Sequence, residues 1–65
     1  MDLDSYSYHE AIDRTYIFAA MLEDYLQNHP VFKENKKQQK KIKKAIKLLS
    51  EVYQEISDIA DNELN

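Results

Sequence analysis

The residues of this 65-residue chain best suited to chemistry are a short cluster, His9, Glu10 and Asp13, and a run of lysines. On a helix His9 and Asp13 stand one turn apart, as two metal ligands would, with Glu10 beside them. A carboxylate-bridged site inside a bundle needs inward glutamates and a Glu-x-x-His pair, which the sequence lacks, so neither a metal nor another cofactor is expected. The chain also has no cysteine, no glycine-rich phosphate loop and no pair of carboxylates placed to be buried together. A binding protein is expected, not an enzyme.

The run Lys36-Lys37-Gln38-Gln39-Lys40-Lys41-Ile42-Lys43-Lys44, extended by Lys47, could grip phosphates, because clustered cations on one helix face are the footprint of anion binding. Its plainest reading is a solvated helix face. The sharper one is an anionic ligand such as a nucleotide, or a protein partner, held by Lys36, Lys37, Lys40, Lys43, Lys44 and Lys47. One arginine and an acidic total weigh against sequence-specific DNA, whose base edges are read largely by Arg and Asn. Tyrosine combines a large ring with a polar tip and stacks on nucleobases. Of the five, Tyr16 and Tyr53 suit helix packing, whereas Tyr6 and Tyr8, beside His9 at a helix entrance, are the ligand-stacking candidates.

The elements that must position these groups are helices. There is no glycine, and the single proline stands in Asn28-His29-Pro30, between two stretches whose apolar residues recur at helical spacing. This predicts an all-α fold: one domain over 1–65, an antiparallel two-helix hairpin with a first helix at about 8–27, a turn at 28–34 and a second helix at about 35–61. Ser7 and Glu10 match a capping box, with Tyr6 stapled onto Ala11. The first helix is expected to turn Tyr8, Ala11, Ile12, Thr15, Phe18, Ala19, Leu22, Tyr25 and Leu26 inward. Pro30 suits a first helical position after a His29 cap, Val31 and Phe32 a plug, and Asn35 with Gln38 a second cap.

So small a domain removes only about 60% of its unfolded surface from water and usually needs a staple. Disulfides are excluded by the absence of cysteine, which leaves self-association. The apolar surface beyond one partner's reach makes Ile17, Met21, Leu48, Leu49, Val52 and Ile56 the candidate oligomer interface, in a homodimer or larger helical bundle. Charge supports pairing between copies. Residues 1–32 hold six acids and one base, 33–50 eight lysines and one acid, and 51–65 five acids. Bases near the start of a helix and acids near its end oppose the helix dipole, whereas a second helix laid antiparallel near Leu48 and Leu49 would set each lysine half beside an acidic half. The acidic opening Met1-Asp2-Leu3-Asp4 is no leader, and no window approaches the roughly 18 apolar residues of a membrane span, so a cytoplasmic protein without membrane contact is expected.

With Tyr8-His9 ahead of the first helix and Lys47-Leu48, Val52, Ile59-Ala60 and Asn62-Glu63 in the second, the chain resembles small phage-encoded helical hairpins. These include anti-defence proteins that oligomerise and sequester cyclic-nucleotide immune signals. The resemblance implies base stacking by Tyr8, a phosphate contact from a lysine of the run, binding sites at chain–chain junctions and action in a host cytoplasm. It equally accommodates an inhibitor or adaptor of a larger protein. The first helix is shorter and the second longer than that family suggests. In shape the hairpin is also similar to Rop-like proteins, which dimerise into four-helix bundles and bind RNA.

Overall fold

The computed structural model describes residues 4–64, with no side-chain account of Glu63 and Leu64, and the described residues are all-α. Helix α1 spans Ser5–Met21 and continues as a π-helical turn over Leu22–Gln27; α2 is the short Pro30–Glu34; α3 runs over Lys36–Leu64. The expected leader-free opening at Met1, Asp2 and Leu3 and the Glu63 side chain of the resemblance lie outside what is described.

The start of α1 corrects the capping-box expectation. Asp4, in extended conformation, accepts a hydrogen bond from the Ser7 N–H at 2.9 Å, and its carbonyl accepts from the Tyr8 N–H, so the helix begins one turn before Tyr8. Glu10 instead faces Arg14 at 3.4 Å. A carboxylate is the stronger acceptor and its charge suits the positive helix end, which is why Asp4 prevails over Ser7.

At the other end the Asn28 N–H bonds the Glu23 carbonyl, five residues back, and this wider turn shifts the helix phase. Gln27 becomes half-buried while Leu26 stays 37% exposed. His29 is extended, as a residue before proline prefers, and its Nδ1 accepts the Val31 N–H at 3.1 Å, with Pro30 first in α2. The expected turn at 28–34 is therefore mostly a helical turn. Phe32 is half-buried, with its ring edge-on to His29 at 6.1 Å, but Val31 is 54% exposed, so only half of the apolar plug forms. Asn35 breaks α2 from α3: its backbone and side-chain N–H groups both donate to the Val31 carbonyl, and its own carbonyl accepts the Gln39 N–H.

Helix α3 lies back along α1. Tyr8 and Ala11 line a groove with Ile56, the Tyr16 and Tyr53 rings stand 6.0 Å apart, and Leu22 and Leu26 line a groove with Ile42 and Ala45. The less exposed positions keep the three-and-four spacing of packed helices, Tyr8, Ile12, Thr15, Ala19 and Leu22 on the first helix and Gln39, Ile42, Ile46, Leu49, Ile56 and Ala60 on α3. It is thin. Among the described residues only Ala60 is buried. Phe18, Tyr25 and Ala11, expected in the inward face, are exposed, because a single neighbouring helix covers a narrower stripe than the nine positions first assigned to it. The Cα radius of gyration is 14.7 Å, against about 11 Å for a compact chain of this length.

Candidate interaction surface

Two rows of apolar side chains are left outside the seam. On α1 they are Phe18, Met21 and Tyr25, with Ile17 at the margin; on α3 they are Leu48, Val52 and Ile59, following Ala45. Phe18 and Met21 each precede by one residue a seam position, Ala19 and Leu22, and Ala45, Leu48 and Ile59 do the same on α3, before Ile46, Leu49 and Ala60. One residue turns a helix by about 100°, and between helices that run in opposite senses an equal offset turns both rows to the same side. Two shallow grooves open there, one of about 280 Å³ lined by Ser7, Tyr8, Ala11 and Ile56. The other, of about 310 Å³, is lined by Leu22, Leu26, Phe32, Ile42 and Ala45, with Gln38 and Lys41 at its rim.

The six residues first grouped as an interface therefore divide. Ile17, Met21, Leu48 and Val52 are exposed, at 52%, 44%, 53% and 42%. Leu49 and Ile56 are half-buried in the seam between α1 and α3. Sequence reasoning missed Phe18 and Tyr25, at 58% and 69% exposed, although Ala11, Phe18, Met21 and Tyr25 already keep helical spacing as a second row.

Lys36, Lys37, Lys40, Lys43, Lys44 and Lys47 are all exposed on the outer side of α3. Among the described residues the one ion pair joins Arg14 to Glu10, and none involves the lysine block. Tyr8 lies half-buried beside Ile56, and Tyr6 is 73% exposed. At 1.5 Å per residue, the stretch of α3 beside Tyr8 is on the order of 14–30 Å from the lysines. Within one chain the stacking and phosphate-binding candidates do not meet.

The opposite side carries a smaller groove of about 190 Å³, lined by Tyr16, Ala19, Ala20, Glu23, Ile46 and Ser50. His9 and Asp13 are exposed, and among the described residues no group of three His, Cys, Asp or Glu side chains is placed to hold a metal ion. The Asp4 carboxyl is held below its ordinary value, first by the backbone N–H of Ser7 and then by the Ser7 hydroxyl. Among the described residues no helix is long and apolar enough to cross a membrane. Comparison with protein families, curated proteins and solved structures finds no significant match to this chain.

Proposed function

We propose that this protein is an antiparallel helical hairpin that assembles with copies of itself and acts by binding, as an inhibitor or adaptor of a larger protein. The observation that carries the reading is the uncovered apolar side formed by Phe18, Met21, Tyr25, Leu48, Val52 and Ile59. The chain exposes 5417 Å², whereas a folded monomer of 7.7 kDa exposes about 4,300 Å². The difference, roughly 1,100 Å², exceeds the about 800 Å² that a standard interface takes from each partner.

Sedimentation equilibrium at micromolar concentration tests the assembly, with a dimer or larger species expected and a stable folded monomer overturning it. Affinity purification from the producing cells, followed by reconstitution from purified components, tests the adaptor role. A complex that rebuilds from the pure proteins supports it. Thermal stabilisation by cyclic dinucleotides without a protein complex would replace it with a nucleotide-binding role.

A further inference from the structure

We propose that the apolar side is covered by a second copy of the chain, with the two α3 helices antiparallel and crossing between Leu48 and Val52. The lysine half of each α3 then lies along the acidic half of the other. This rests on the homo-oligomer reading above and specifies its geometry.

Two independent features of α3 locate the crossing at the same place. The exposed row Ala45, Leu48, Val52 and Ile59 places its large central pair either side of residue 50. The charges run from Lys36 to Lys47 and then from Glu51 to Asp61, so the point midway between the two blocks falls in that same helical turn. A two-fold axis there is self-complementary, as an isologous interface requires. Leu48 of one copy meets Val52 of the other, and Glu55 of the second copy comes level with Ala45, next to Lys44 and about one turn from Lys41. A parallel pairing would set lysines against lysines and acids against acids. The α1 row of Phe18, Met21 and Tyr25 adjoins the α3 row, so the same approach covers both, and the uncovered area is sufficient for one such partner.

The chain has no cysteine, so a single introduced thiol carries a spin label cleanly. In full-length protein labelled at Lys36→Cys, pulsed dipolar spectroscopy should read about 40 Å between copies, from fourteen residues on each side of the axis at 1.5 Å per residue. Glu51→Cys, beside the axis, should read under about 20 Å. Short distances at both positions mean a parallel pair and overturn the arrangement while leaving the homo-oligomer reading intact. Absence of dipolar coupling, together with a monomer in sedimentation, overturns the homo-oligomer reading itself. Salt supplies a second readout: raising it from about 0.05 to 0.5 M should weaken the unlabelled dimer several-fold, and tightening would overturn the proposal.

Discussion

The Gln39 side chain, one helical turn into α3, donates a hydrogen bond at 2.9 Å to the carbonyl of Gln27 at the end of the π-helical turn. Gln39 takes a seam position that would otherwise go to an apolar residue, and the π turn leaves a carbonyl there for it. Gln39→Ala should cost about 1 kcal/mol, the usual net worth of such a bond. Urea denaturation checks the loss. Hydrogen exchange should locate the added opening at 28–39, and no change in either measurement would show the bond to be dispensable.

Asp4 predicts how the first turn responds to acid. Its native pKa lies below the ordinary 3.8 because the ionised carboxylate accepts the Ser7 N–H. Its stabilisation is complete above pH 3.8 and is lost as the pH falls through the depressed native value. Asp4→Asn keeps an acceptor but cannot titrate, so helicity at 222 nm should fall less between pH 4 and pH 2 than in the parent. Equal acid loss in both proteins would mean that the cap contributes nothing.

Neighbouring leucines should separate folding from assembly. Leu49 is half-buried in the seam, so Leu49→Ala should destabilise the fold of each chain by about 2 kcal/mol, the low end for leucine truncation because the site is only half-buried. Leu48 is exposed, so Leu48→Ala should instead weaken association about tenfold or more with helicity retained at high protein concentration. Concentration-dependent thermal melts distinguish the two. The same defect in both variants would refute the division into inner and outer rows.

The lysines give a further test. Changing Lys36, Lys40, Lys43 and Lys44 together to Gln should preserve helicity, because the two residue types have similar propensities. If these lysines face the acids of a second copy, dissociation should increase with no ligand present, and the increase should shrink at high salt. An unchanged dimer would reduce them to a solvated face.

The helices were legible in the sequence because apolar spacing and the lone proline both act locally. His29 and Pro30 specify a cap and a first helical position through their own geometry, and both take those places. The start at Asp4 was harder to see because Asp4 and Ser7 are both sound caps, and only charge separates them. Phe18 and Tyr25 were misassigned for a different reason: periodicity identifies apolar residues on a helix but not the width of the stripe that its neighbour can cover. The π turn has no sequence signal of its own, and it decides whether Leu26 or Gln27 turns inward.

The Gln27–Gln39 hydrogen bond also bears on the order in which the chain folds. It joins residues 12 apart, whereas Tyr8 and Ile56 at the far end of the seam are about four times more distant along the sequence. Closing the longer loop from an open chain costs about 1.2 kcal/mol more, at roughly 0.6 kcal/mol per doubling. Nucleation at the turn followed by zipping outward avoids that penalty, and it brings Ala60, the tightest point of the seam, into place last. On this route Gln39→Ala slows folding, while truncations near Ile56 chiefly speed unfolding.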